Sequence, residues 1–181
     1  MLVGSGLELK EVCSRRQISL QAEVAPNLPY DVWNSRKLRG ELMTGKRVVV
    51  ADDLTPVLSA VAKILDKSFD VVGMVTNGQT ALDSTLALKP DLVILDISMP
   101  GMSGIEVAKE LRRCESSAKI IFLTVHQDSD ILATCLAAGG LGYVVKVLMD
   151  TDLIPAMHEA LADRVFVSRF SYPPDVPDRK T

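Results

Sequence analysis

The sequence predicts an α/β protein built on a doubly wound parallel sheet, and three observations predict it. Short runs rich in β-branched residues recur at Arg47–Ala51, Val71–Val75, Leu92–Leu95, Lys119–Leu123 and Tyr143–Lys146. Their starts lie 24, 21, 27 and 24 residues apart, which leaves room for one crossover helix each time. The first, third and fourth runs are apolar almost throughout, as strands covered on both faces are.

The helices between them carry their own signals. Thr55-Pro56 reads as an N-cap and first helical position, followed by Val57, Leu58, Val61, Ile64 and Leu65 on one stripe. Lys89-Pro90 stops the second helix. Ser103 and Glu106 have capping-box spacing ahead of Val107 and Leu111. Ile131, Leu132, Cys135 and Leu136 form the fourth stripe, closed by Gly139-Gly140, and Leu153, Met157, Ala160 and Leu161 form the fifth. Pro155 fits that last helix only if it starts near Asp152 and holds the proline in its first turn. Five such units fit a flavodoxin-like (βα)5 sheet of strand order 2-1-3-4-5, whose ligand crevice opens at the carboxyl ends of strands 1 and 3.

This unit is expected over residues 45–165 of the 181-residue chain. Residues 1–44 read as an N-terminal extension in which Ile18, Leu20, Ala22 and Val24 alternate weakly before Pro26 and Pro29 break the pattern. The alternative is a mis-assigned start, with translation beginning at Met43. Residues 166–181, with Pro173, Pro174 and Pro177, read as a tail without regular structure. A net charge of −3 and the small cluster Arg36, Lys37 and Arg39 give no footprint for nucleic acid. No apolar run reaches the ~18–20 residues that span a bilayer, and the opening Met-Leu-Val-Gly-Ser-Gly-Leu-Glu does not read as a signal peptide. Cys13, Cys114 and Cys135 form neither a disulfide framework nor a zinc spacing, so a reducing cytoplasm is the expected compartment.

The strand ends carry the chemistry. Asp52 and Asp53 close the first run, Asp96 the third, Thr124 the fourth and Lys146 the fifth. In a parallel sheet these ends share one edge. Three carboxylates in one crevice repel, at ~4 kcal/mol per pair for a 4 Å separation and an effective dielectric near 20. They therefore take up protons or hold a cation. Oxygen ligands select Mg²⁺ or Mn²⁺ over zinc. A cation there draws in a phosphoryl group, whose equatorial oxygens Lys146 and Thr124 can reach, with Asp96 as the nucleophile.

The blocks Val-Val-Val-Ala-Asp-Asp, Leu-Val-Ile-Leu-Asp-Ile-Ser-Met-Pro-Gly-Met-Ser-Gly, Leu-Thr-Val-His and Gly-Tyr-Val-Val-Lys resemble the receiver domain of two-component response regulators. The Leu-Thr-Val-His and Ala-Ala-Gly-Gly-Leu-Gly-Tyr segments are most similar to the LuxR/NarL-type branch. The resemblance implies that Asp96 is the phosphoacceptor. Asp53 would bind the metal directly and Asp52 through water, with the Ser98 backbone carbonyl as a further ligand. Thr124 and Tyr143 would be the switch residues, Lys146 the phosphate-binding lysine, and Ser98 and His126 the positions that tune dephosphorylation. It also implies a sensor histidine kinase or phosphotransfer protein as partner and an output face made by the fourth helix, fifth strand and fifth helix; a homodimer is left open. The chain departs from the family at Val147, where proline often follows the lysine, and a cis peptide without proline would cost ~3–4 kcal/mol. Val125 is bulkier than the family's usual residue there and is expected to narrow access.

Other readings meet specific obstacles. A Mg²⁺-dependent phosphohydrolase wants a second acid two residues after its nucleophile, where this chain has Ser98. A receiver that binds partners without phosphorylation needs a steric block, for which Val125 is the candidate. Taken alone, Tyr143 fits ordinary packing on the fourth helix as well as a switch, and Cys114 and Cys135 fit core packing. Only 15 residues follow Phe166, too few for a three-helix DNA-binding head. The expected function is therefore that of a phosphoacceptor signalling domain and not a turnover enzyme on an external substrate, either stand-alone or cut from a transcription factor.

Overall fold

A computed structural model describes residues 45–66 and 68–169. The expectations for the N-terminal extension, for the Arg36, Lys37 and Arg39 cluster and for the prolines of the tail lie outside those residues. In chain order the elements are β1 (Lys46–Ala51), α1 (Thr55–Leu65), β2 (Phe69–Val75), α2 (Gly78–Leu88), β3 (Leu92–Leu95), α3 (Gly104–Arg113), β4 (Lys119–Thr124), α4 (Ser129–Ala137), β5 (Gly140–Val145), a 3₁₀ turn (Lys146–Leu148), α5 (Met149–Leu161) and β6 (Phe166–Val167). The sheet order is β2-β1-β3-β4-β5-β6, with every pairing parallel. The flavodoxin-like order read from the sequence is therefore present, with one strand added at its open edge.

Strand alternation sorts the core into two layers. Val49, Ala51, Val93, Leu95, Phe122, Tyr143 and Val145 face α2, α3 and α4, where Leu82, Val107, Leu111, Leu132 and Cys135 meet them. Val48, Val50, Leu92, Ile94, Ile121, Leu123 and Val144 face α1 and α5, meeting Leu58, Val61, Leu65, Leu153 and Met157. Both faces of the central strands are thus dry, which is why their sequences are apolar without alternation.

Several boundaries differ from expectation for local reasons. Leu54, not Thr55, is the N-cap of α1, and no side chain caps that end. Asn77 caps α2 through the Thr80 amide, and Lys89 ends it in the left-handed conformation ahead of Pro90. The Ser103–Glu106 capping box on α3 forms in both directions. Helix α5 begins at Met149, so Pro155 sits inside it on an exposed position, where water can satisfy the carbonyl its missing N–H leaves. The tail expectation fails at its start: Phe166–Val167 pair with Gly142 and Tyr143 of β5. Cys114 packs against the core as expected but is disulfide-bonded, which corrects the reading of the cysteines as free of disulfides; Cys135 is free and buried. No helix among the described residues is long and apolar enough to cross a membrane.

Candidate functional site

The carboxyl ends of β1 and β3 lie side by side because the two strands pair in register from Val48↔Leu92 to Ala51↔Leu95. The chain then turns at both ends under backbone control. Asp96 N–H donates to the Ala51 carbonyl at 2.8 Å, and Asp52 N–H donates to the Val75 carbonyl at 3.1 Å. Asp52 Oδ1 accepts from the Leu54 amide at 3.0 Å, which aims its other oxygen inward. Asp52 and Asp96 are buried and Asp53 is exposed, yet one carboxylate oxygen from each lies within 4.8 Å of the others.

Lys146 enters this cluster from the far side. It sits one residue beyond β5, opening the 3₁₀ turn rather than ending the strand as expected. Its ammonium lies 2.6 Å from Asp52 Oδ2 and 3.2 Å from Asp96 Oδ1. Asp52 Oδ2 is buried, and the Lys146 ammonium at 2.6 Å is its charged partner. Burial pushes the Asp52 carboxyl above its ordinary value; Lys146 and the Leu54 amide pull it back, and Asp96 adds to the rise. Three carboxylates and one ammonium leave two formal negative charges in the crevice. An all-oxygen site with that charge fits a divalent cation such as Mg²⁺ or Mn²⁺.

Thr124 is fully buried at the end of β4, and its hydroxyl accepts from the His126 amide at 3.1 Å. The His126 ring reaches Ser98 Oγ at 3.0 Å, spanning the mouth beside Asp96. The His126 carbonyl in turn accepts from the Tyr143 hydroxyl at 2.9 Å. Tyr143 is buried beneath α4, and burial raises its phenol to about 12, so it is a neutral donor at any ordinary pH. The structure therefore brings Asp52, Asp53, Asp96 and Lys146 together directly, and links Thr124, His126, Ser98 and Tyr143 in a chain of bonds along the same edge. Val125 is 63% exposed, so it does not fill the crevice, and Val147 is 76% exposed. Among the described residues no peptide bond is cis, Lys146–Val147 included.

Two supports were not singled out from the sequence. A Cβ on Gly104 would lie 2.1 Å from the Asp96 carbonyl oxygen, so only glycine lets the start of α3 close behind Asp96. The Pro-Gly-Met-Ser-Gly run was visible but gave no hint of which glycine was needed. Ser168, fully buried beside β5, had no signal at all in a segment read as irregular.

Fold and site together define a doubly wound α/β protein with a cation-competent acidic crevice at its strand switch point. Residues 48–158 match the family model described as the response regulator receiver domain, and the chain belongs to that family. It is 32% identical over 123 residues to the nitrate/nitrite response regulator NarL of Escherichia coli K12, covering 67% of this chain and 57% of that protein. It is also 32% identical over 116 residues to the chemotaxis protein CheY of Thermotoga maritima, covering 64% of this chain and 97% of that one. Among solved structures, the receiver domain of a NarL regulator from Mycobacterium tuberculosis superposes with a TM-score of 0.64 at 31% identity, covering 66% of this chain and 98% of that chain. A LuxR-family regulator from Aurantimonas gives 0.65 at 27% identity, covering 69% and 90%. The relatives bear out the LuxR/NarL likeness. The chain spans little more than half the length of the NarL protein it matches.

Proposed function

We propose that this receiver domain accepts a phosphoryl group on Asp96 from a histidine kinase or phosphotransfer protein, with Mg²⁺ or Mn²⁺ as cofactor. The observation that carries the reading is the largely covered Lys146 ammonium placed between Asp52 and Asp96, 2.6 and 3.2 Å away. A lysine committed only to structure would not be expected to bridge two carboxylates while a third is within 4.8 Å. Asp52, Asp53, Asp96 and the Ser98 carbonyl would hold the cation, which neutralises the crevice and the incoming phosphoryl oxygens.

A carboxylate oxygen of Asp96 attacks phosphorus as the bond to the donor nitrogen breaks, and that bond's electron pair leaves with the imidazole. With acetyl phosphate the broken bond is P–O and acetate departs. The product is an acyl phosphate on Asp96. Lys146 gives up Asp96 to meet a phosphoryl oxygen, and the Thr124 hydroxyl turns to another. Thr124 presently holds the His126 amide, so this turn loosens the loop whose carbonyl binds Tyr143. That sequence would move the α4–β5–α5 face between two populations. Ser98 and His126, bonded across the mouth, would govern how readily water reaches the acyl phosphate. The cytoplasm remains the proposed compartment because the phosphodonors act there; the cysteine count no longer supports it.

Incubation of the protein with Mg²⁺ and acetyl phosphate, followed by intact-mass measurement, tests the reading. One phosphoryl adduct is expected, absent in Asp96→Asn and absent when Mg²⁺ is chelated. An adduct that survives Asp96→Asn would place the chemistry elsewhere.

A further inference from the structure

Strand β6 does more than extend the sheet. Ser168, just past it, is fully buried and makes three bonds at once. Its amide donates to the Tyr143 carbonyl at 2.9 Å. Its hydroxyl accepts from the Val145 amide at 3.3 Å and donates to Asp152 Oδ2 at 2.6 Å. Asp152 lies in the first turn of α5, and its other oxygen accepts from Thr151 Oγ1 at 2.9 Å. The serine thus pins the outer edge of β5 on both sides of Val144 and ties it to the next helix. The pinned amide belongs to Val145, the residue immediately before Lys146.

We infer that Ser168 is a positioning residue for Lys146, held by Asp152, so that the strand leaving the domain is a working part of the phosphorylation site. The inference rests on the reading of Asp96 as phosphoacceptor. Lys146 stands outside the β5–β4 ladder, which ends at Thr124↔Val145. Its ammonium nevertheless meets two carboxylates at once, at 2.6 and 3.2 Å. The Val144–Val145 peptide, one peptide before Lys146, donates its N–H to the Ser168 hydroxyl, the only hydrogen bond that reaches this amide among the described side chains. Alanine at 168 leaves that amide buried without its acceptor and lets the launch angle of Lys146 drift. Coupling runs both ways: a shift of Lys146 on phosphorylation must change how firmly residues 166–168 dock.

The test uses the full chain, Mg²⁺ and acetyl phosphate. Wild type should gain the adduct; if it does not, the phosphoacceptor reading fails before this inference is reached. Ser168→Ala should slow the initial rate about fivefold or more, since small misplacements of a reacting group cost up to about 10²-fold. Mg²⁺ affinity by calorimetry should not weaken, because the metal-site carboxylates are untouched, whereas a general loosening would lower both. Asp152→Asn keeps an acceptor for the Ser168 hydroxyl and should phosphorylate near the wild-type rate, and Asp152→Ala should resemble Ser168→Ala. A folded Ser168→Ala protein with the wild-type rate overturns the inference. Hydrogen exchange of the wild-type Val145 and Ser168 amides, with and without acetyl phosphate, decides the matter if the variants do not fold. Unchanged protection at both amides overturns it too.

Discussion

Replacing Lys146 by methionine keeps the side-chain stem and removes only the ammonium. At 2.6 and 3.2 Å the two attractions lost are about 6 and 5 kcal/mol gross at an effective dielectric near 20. Bringing the ammonium out of water, with its side chain only 11% exposed, offsets much of that. The net cost of orphaning a buried charge is about 3–5 kcal/mol. The sign of the pH dependence follows from Asp52, whose carboxyl already lies above its ordinary value of 3.8 because of burial. Removing Lys146 removes two of the influences that lower it and leaves the Asp96 repulsion, so the folded-state value climbs further. A group raised in the folded state contributes stability that is complete below its unfolded value and is lost as pH rises through its folded value. The deficit of Lys146→Met relative to wild type should therefore be larger at pH 7.5 than at pH 5.5. Mg²⁺ at about 100 times the wild-type dissociation constant stabilises wild type by about 2.7 kcal/mol. With no ammonium competing for the carboxylates, the variant should bind it more tightly and gain more, which narrows the gap at pH 7.5. Urea unfolding of both proteins at the two pH values, with Mg²⁺ and with chelator, reads all four numbers. A deficit that is the same at both pH values and indifferent to Mg²⁺ would refute the electrostatic account and make Lys146 a packing residue.

Two further substitutions probe the supports of the site. Gly104→Ala places a methyl 2.1 Å from the Asp96 carbonyl, so the loop must move; urea unfolding should show a loss of about 1–3 kcal/mol, and the intact-mass assay a slower phosphorylation. Tyr143→Phe keeps the buried ring but deprives the His126 carbonyl of its donor; a loss of about 1 kcal/mol is expected in the same unfolding measurement, with Asp96 still phosphorylated. A tyrosine that serves packing alone would give no loss.

What the sequence made legible was whatever local pattern decides. The β-branched runs, the capping box at Ser103 and the stop at Lys89-Pro90 each depend on neighbours within a turn, and each formed as expected. The crevice was legible for a different reason: strand ends of a parallel sheet share an edge, so knowing the strands located Asp52, Asp96 and Thr124. Non-local bonds were what stayed hidden. A two-residue strand such as Phe166–Val167 has no periodicity to read, and exists because β5 offers it an edge. Lys146 was expected to end a strand, and instead the backbone turns one residue earlier and starts a 3₁₀ turn. The Leu54 cap follows from Asp52 Oδ1 seizing its amide, a bond that serves the site and overrides the better capping residue next to it.

The electrostatics and the connectivity of the crevice point the same way. A single ammonium leaves the cluster two formal charges short of neutral. That imbalance suits a divalent cation and, on the proposed function, then a phosphoryl group: the first would compete with Lys146 for Asp96, the second with Asp96 for Lys146. Lys146 is where the competition becomes mechanical, because it is anchored to β5 at one end and to two carboxylates at the other. Any ligand that draws its ammonium off Asp96 loads the strand that also carries Tyr143, whose hydroxyl holds the loop after Thr124. A change of a few ångströms at one carboxylate thus has a short, bonded route to the outer edge of the sheet.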